Sequence, residues 1–134
     1  MTLQEKIDAF LAEGPWAVVG ASTNRNKYGN KVLRVYMQTN RKVYPVNPRA
    51  AEVEGLKAYP DLASLPEKVH GISIITPPAV TENIVEEAAR LGIKHLWMQT
   101  GAESDEAVRR GEELGLNIIA GDACALVVMG YHED

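Results

Sequence analysis

The stretch Trp16-Ala17-Val18-Val19-Gly20-Ala21-Ser22-Thr23-Asn24-Arg25-Asn26-Lys27-Tyr28-Gly29 decides how the rest of the chain is read. It opens as a short apolar run. It breaks at Gly20 into small and polar residues with two cations, and beyond Gly29 it passes into a helical pattern. A strand that ends in a turn at the mouth of a helix is how an α/β protein offers backbone N–H groups to a phosphate. The continuous apolar character of Trp16–Val19 suits a strand covered on both faces, as in a parallel sheet.

Outward from that stretch, apolar runs and helical periodicities alternate. Thr2–Ala12 reads as a helix with Leu3, Ile7, Phe10 and Leu11 on one face, capped by Thr2 and stopped by Glu13-Gly14-Pro15. A helix is expected over Asn30–Thr39, with Val32, Val35 and Tyr36 inward. A strand follows over Lys42–Val46, ended by Asn47-Pro48. Arg49–Tyr59 is ambiguous: Gly55 marks a turn, and Leu56–Tyr59 reads as a short strand or a loop. Asp61–Leu65 gives one or two helical turns closed by Pro66. Gly71–Ile75, His95–Met98 and Asn117–Ala120 read as strands. Val80–Leu91 (Ile84, Val85, Ala88 and Leu91 inward) and Ser104–Leu114 read as helices, ended by Gly92 and Gly115. The alternation predicts an α/β fold: a three-layer, Rossmann-like, doubly wound sheet of about five parallel strands with right-handed crossovers. A single domain over residues 1–134 is expected.

Composition narrows the function classes. Hydrophobic residues make up 46% and charged residues 24%, as in an ordinary globular protein. No apolar run is long enough to span a membrane, and Met1–Lys6 is not a signal peptide. The single cysteine excludes an internal disulfide and fits a reducing cytoplasm. The net charge of −4 argues against a general nucleic-acid binder. Charge distribution says more. Between Glu13 and Glu52 there is no acidic residue, yet that window holds Arg25, Lys27, Lys31, Arg34, Arg41, Lys42 and Arg49, half of the chain's 14 basic residues. Such an island points to a local anionic ligand, or to a solvated helix face.

In doubly wound sheets, ligands bind beyond the carboxyl ends of the strands, at the switch point. The segments there are Gly20–Tyr28, Asn47–Arg49, Thr76–Pro78, Gln99–Ala102 and Gly121–Cys124. A dinucleotide turn of the G-x-G-x-x-G type is absent: Gly20 is followed by Ala21-Ser22, and the next glycine is Gly29. An acidic residue after the second strand, which would hold a ribose 2′-hydroxyl, is also absent. Asn47-Pro48-Arg49 stands there instead, and its arginine favours a ligand with a phosphate on its ribose, either NADP or coenzyme A (CoA). No Walker pattern occurs. The length weighs against a dehydrogenase, which usually needs a second domain for its substrate.

Chemistry-bearing residues are few. Cys124 is the one candidate nucleophile, but a nucleophilic thiol needs a nearby base or a depressed pKa. His70 and His95 fall at strand starts, the wrong end of the sheet, and His132 lies in a tail. A small buried thiol is the simpler account. Asp122 could meet a ligand or cap the following segment. No histidine/carboxylate spacing suits a metal. Trp16 and Trp97 read as core residues rather than stacking platforms. Arg25 and Lys27 precede a helix N-terminus, where a cation without an anion is unfavourable. Arg49 and Thr76-Pro77-Pro78 read equally as plain surface charge and as a helix start, whereas Asn47-Pro48, a sound turn in its own right, leans to a ligand by its place at a strand end.

The elements Val18-Val19-Gly20-Ala21-Ser22, Lys27-Tyr28-Gly29, Tyr44-Pro45-Val46-Asn47-Pro48, Gly55, Tyr59-Pro60, Trp97-Met98-Gln99-Thr100-Gly101-Ala102 and Cys124 resemble the small single-domain CoA-binding protein family. That family is similar to the CoA-binding domain at the N-terminus of the succinyl-CoA synthetase α subunit. The resemblance runs from Trp16 to about Cys124. It implies that Gly20, Ala21 and Ser22, with Arg25, Lys27 and the adjoining Tyr28, hold the diphosphate of CoA. Asn47, Pro48 and Arg49 would meet the adenosine 3′-phosphate end. Thr76, Pro77 and Pro78 would flank the adenine or ribose, and Met98, Gln99, Thr100 and Gly101 would line the path of the pantetheine arm. Two positions depart from the family pattern: His70 stands where aspartate is common, and Thr100 where proline is common. The synthetase's phosphorylated histidine lies in a second domain, expected to be missing here. The expectation is a CoA- or acyl-CoA-binding protein without catalysis of its own. The alternatives are a small NADP-linked or acyl-CoA-handling enzyme, and a regulatory interaction domain with CoA as effector.

Overall fold

The computed structural model describes residues 1–121 and 123–134; the expectation for Asp122 falls outside the described residues. Helix α1 spans Leu3–Leu11. Thr2 Oγ1 accepts from the Glu5 N–H at 3.1 Å, and Glu5 Oε1 accepts from the Thr2 N–H at 2.8 Å. This capping box satisfies two of the donors that a helix start leaves open. Ile7 and Phe10 are buried, but Leu3 in the first turn is exposed, contrary to its expected inward position. Only side chains from the second turn onward reach the core.

Strands β1 (Trp16–Val19), β2 (Val43–Val46), β5 (Gly71–Ile74), β6 (His95–Met98) and β7 (Asn117–Ile119) form one parallel sheet in the order β2-β1-β5-β6-β7. Trp16 pairs with Val43 on one side and Gly71 on the other, so the central strand keeps one register across both neighbours. The chain goes outward from β1 to β2, then returns past β1 to build β5, β6 and β7. The switch point therefore lies at the carboxyl ends of β1 and β5. Strands β3 (Glu52–Val53) and β4 (Leu56–Lys57) resolve the ambiguous segment as an antiparallel hairpin. Its turn residues Glu54 and Gly55 both have positive φ, 51° and 79°. A two-residue turn with positive φ at both positions matches the twist of the flanking strands.

Helix α2 covers Tyr28–Gln38, starting two residues earlier than its apolar periodicity indicates. The polar residues before it wind the chain into the first turn. Ser22 Oγ accepts from the Asn24 N–H at 3.1 Å, Asn24 Oδ1 accepts from the Asn26 N–H at 3.0 Å, and Asn24 O accepts from the Lys27 N–H at 3.0 Å. Helix α3 spans Pro78–Arg90, with proline at its first position, where no N–H is needed. Leu91, expected inward, is its exposed C-cap residue. Helices α4 (Asp105–Glu113) and the short α5 (Ala125–Val128) complete the layers.

Four of the five strands feed two cores, and β5 supplies Ile72 and Ile74 to one of them. Trp16, Val18, Trp97 and Ile119 pack with α1, α2 and α5 residues such as Phe10, Val32, Tyr36 and Ala125. Ala17, Val19, Leu96, Met98 and Ile118 pack with α3 and α4 residues such as Val85, Ala88 and Ala107. This two-sided burial is why the strands read as continuous apolar runs. Trp97 stands edge-on to Phe10 and donates Nε1–H to Ala123 O at 3.1 Å; Trp16 donates Nε1–H to Phe10 O at 3.0 Å. Both tryptophans are core residues.

Candidate functional site

Two glycines bring the end of β1 against the start of α2. Gly20 has φ +95°, and a Cβ there would lie 2.1 Å from Ile75 O. A Cβ on Gly29 would lie 2.1 Å from Gly20 O. Only hydrogen fits at either place, so the turn packs directly onto the first turn of α2. Lys27 is the N-cap residue of α2, and its side chain makes no capping bond. The Tyr28 and Gly29 N–H groups have no acceptor among the described residues, nor do those of Ala21 and Ser22. The Ser22 nitrogen lies 3.3 Å from the position a Gly29 Cβ would take, so these donors lie together. A depression of about 440 Å³ covers them, lined by Gly20, Ala21, Ser22, Lys27, Tyr28 and Asn47 among others. Unpaired amides and the positive end of an eleven-residue helix favour an anion in that depression.

Asn47 ties the end of β2 to this turn. Its Nδ2 donates to Ala21 O at 2.9 Å, and its Oδ1 accepts from the N–H groups of Arg49 (2.7 Å) and Ala50 (3.0 Å). The side chain is thus engaged in shaping the backbone. Pro48 and Arg49 are exposed beyond it. A second cleft of about 270 Å³ adjoins the first through Gly20 and is largely apolar. Its walls include Val19, Val46, Pro48, Pro60, Thr76 and Val80. Thr76 Oγ1 is 2.8 Å from Thr81 Oγ1, at the entry to α3; Pro77 and Pro78 are exposed beside it.

The structure thus gathers Gly20, Ala21, Ser22, Lys27, Tyr28 and Asn47 on the polar depression, and Pro48 and Thr76 on the apolar cleft. Other candidates stand elsewhere. Arg25 turns to Glu54 (3.4 Å) and Asp134 (3.1 Å). Met98 is wholly buried in the core. Gln99 is 3% exposed; its Nε2 donates to Cys124 Sγ at 3.2 Å, and its Oε1 accepts from the Ala125 N–H at 3.3 Å. Thr100 and Gly101 are exposed at the end of β6, lining neither cleft; Thr100 donates to Gly121 O at 3.3 Å. Lys27 and Arg49 make no ion pair among the described residues, whereas Arg25, Arg34 and Lys42 do. Half-buried Cys124 faces an amide. His70 and His95 stack at the opposite end of the sheet, with ring centroids 4.2 Å apart. Among the described residues no group of three His, Cys, Asp or Glu is placed to hold a metal, and no helix is long and apolar enough to cross a membrane.

Sequence reasoning gave no role to the cleft walls Val46, Pro60, Val80 and Ile84. Val80 and Ile84 are four residues apart at the start of α3. That spacing, on a helix leaving the end of a central strand, was the available signal.

A three-layer α/β sheet with a strand–turn–helix depression at its switch point defines a Rossmann-like domain. The chain belongs to the CoA binding domain family, whose family model matches residues 15–130. It is similar to the α subunit of ADP-forming acetate–CoA ligase II of Pyrococcus furiosus, 32% identical over 112 residues that make up 81% of this chain and 24% of that protein. The chain spans between 13% and 24% of the length of this and similar ADP-forming acetate–CoA ligases. Among solved structures, a conserved hypothetical protein from Pyrococcus furiosus is 40% identical with a TM-score of 0.78, the match covering 87% of this chain and 97% of that one. A hypothetical protein from Pyrococcus horikoshii is 31% identical with a TM-score of 0.87, covering 95% and 89%.

Proposed function

We propose that the chain binds CoA, or an acyl-CoA, across the carboxyl ends of its strands and does not itself transform it. The observation that carries this reading is the group of unpaired N–H groups at Ala21, Ser22, Tyr28 and Gly29 beneath one depression, with an apolar cleft beside it. The diphosphate sits on those amides, with Lys27 as its counter-charge. The adenosine enters the apolar cleft against Val46, Pro48, Pro60 and Val80, where a flat, weakly polar base gains from desolvation. Arg49, exposed and without an ion pair among the described residues, meets the ribose 3′-phosphate outside that cleft. The pantetheine arm leaves over the end of β5 toward Thr100 and Gly101.

The absence of catalysis is part of the proposal. It is supported by the surroundings of Cys124, whose thiol meets the Gln99 amide rather than an imidazole. A reducing compartment such as the cytoplasm suits the single free thiol.

Calorimetric titration with CoA, dephospho-CoA and NADP tests the reading. The expected order is CoA above dephospho-CoA above NADP, with the first difference removed by Arg49→Gln. Absence of heat with millimolar CoA, or tighter binding of NADP, would overturn it.

A further inference from the structure

The back of the phosphate turn is held by side chains that sequence reasoning left unassigned. Asn30, fully buried in the first turn of α2, donates from Nδ2 to Ser22 O at 2.9 Å and to Glu54 Oε2 at 3.0 Å. Its Oδ1 accepts from Arg34 Nε at 2.7 Å. The Arg34 side chain, 4% exposed, reaches one turn further and donates from Nη2 to Arg25 O at 2.8 Å. Its remaining nitrogen, Nη1, meets Asp134 Oδ1 at 2.9 Å, and its guanidinium lies over the Tyr131 ring, 5.4 Å from the centroid. The Arg25 side chain closes the circuit between Glu54 and Asp134.

Buried charge is costly unless paired, and here a buried guanidinium depends on carboxylates from an exposed segment. In return, two carbonyls of the turn, Ser22 and Arg25, are fixed from behind. The same turn carries the unpaired amides. Amides that are already held together spare a bound anion the ordering cost of collecting them.

We infer that this network preorganises the turn for phosphate. Asn30, Arg34, Glu54 and Asp134 are positioning residues, and the segment Tyr131–Asp134 is a strap whose attachment sets the affinity for phosphate-bearing ligands. Arg25 belongs to the strap rather than to the phosphate contacts. The inference rests on the CoA reading above for its ligand, but not for its geometry.

The test uses the full chain and Asp134→Asn, Arg34→Met and Lys27→Gln variants. Asp134→Asn, a change at an exposed residue, should weaken CoA binding about fivefold and Arg34→Met at least tenfold, because the turn loses its preset shape. Lys27→Gln should also weaken binding, and of the three variants it alone should lessen the salt dependence, since of those residues only Lys27 faces the ligand's phosphates. Hydrogen exchange at Ser22–Lys27 should quicken in Asp134→Asn far more than exchange in the strands of the sheet, as expected of a local opening. A variant Asp134→Asn that binds CoA as well as or better than the parent would overturn the strap. If the parent chain binds no CoA, the functional reading fails. The network is then judged on exchange alone, and unchanged exchange at Ser22–Lys27 in Asp134→Asn would overturn it too.

Discussion

Gly29 has no room for even a methyl group: its Cβ would sit 2.1 Å from a backbone oxygen that cannot swing aside. Gly29→Ala should therefore cost on the order of 3 kcal/mol and separate α2 from the turn, seen as a lower denaturation midpoint together with lost CoA binding. Such a requirement is half legible in sequence. Gly20 and Gly29 announce themselves as glycines flanking a polar stretch. That each excludes a side chain because of the other's segment follows only from the packing. Arg34 was less legible still. It reads as one more cation in a basic island, yet it is buried and paired with residues 100 positions away. No local pattern encodes a partner so distant. At the other end of the sheet, His95 is held below the ordinary histidine pKa of 6.5 by burial first and by the neighbouring His70 and Lys94 next; Glu13 opposes them. A depressed folded value means that the unfolded chain takes up the proton first. Stability is then full above about pH 6.5 and falls as pH drops toward and below the folded value. Urea unfolding followed between about pH 7 and pH 5 should show that decline, and His95→Gln should flatten it.

The elements that could be read directly are those whose burial is two-sided or whose caps are local. Trp16–Val19 and His95–Met98 have the same bounds in sequence and structure, because each residue is apolar, or nearly so, and covered on both faces. Thr2 and Ser104 cap helices through their own side chains, a bond written within four residues. Thr2→Ala should cost about 1 kcal/mol of stability and leave CoA affinity unchanged, since α1 packs far from the switch point. Thermal melting and calorimetry on the one variant check both halves. The start of α2 was displaced because polar side chains, not apolar periodicity, wind residues 22–27 into it. The β3–β4 hairpin escaped because its turn places Glu54 at positive φ, where glycine, asparagine or aspartate would have advertised it. From there Glu54 accepts from Asn30 and pairs with Arg25.

For the molecule as a whole, the sheet order puts the β1 turn, the β2 end and the start of α3 around one switch point. Gly20, Ala21, Ser22, Lys27, Tyr28, Asn47, Pro48 and Thr76 come together there, whereas Arg25 turns away to Glu54 and Asp134. The candidates on β6 do not line the same clefts, because β5 stands between β1 and β6 and Met98 points into the core. Binding at the switch point should stabilise the whole domain, since the ligand joins elements from both halves of the sheet. With CoA at a hundred times its Kd the gain is about 2.7 kcal/mol, a rise in Tm on the order of 10 °C. The most direct test of the account is an NMR titration of isotopically labelled protein with CoA, following each backbone amide. The account predicts that the Ala21, Ser22, Tyr28 and Gly29 resonances move most, saturably and with one Kd, while those of His70 and His95 stay in place. A titration that leaves those four amides unmoved, or that moves the opposite end of the sheet instead, would contradict it.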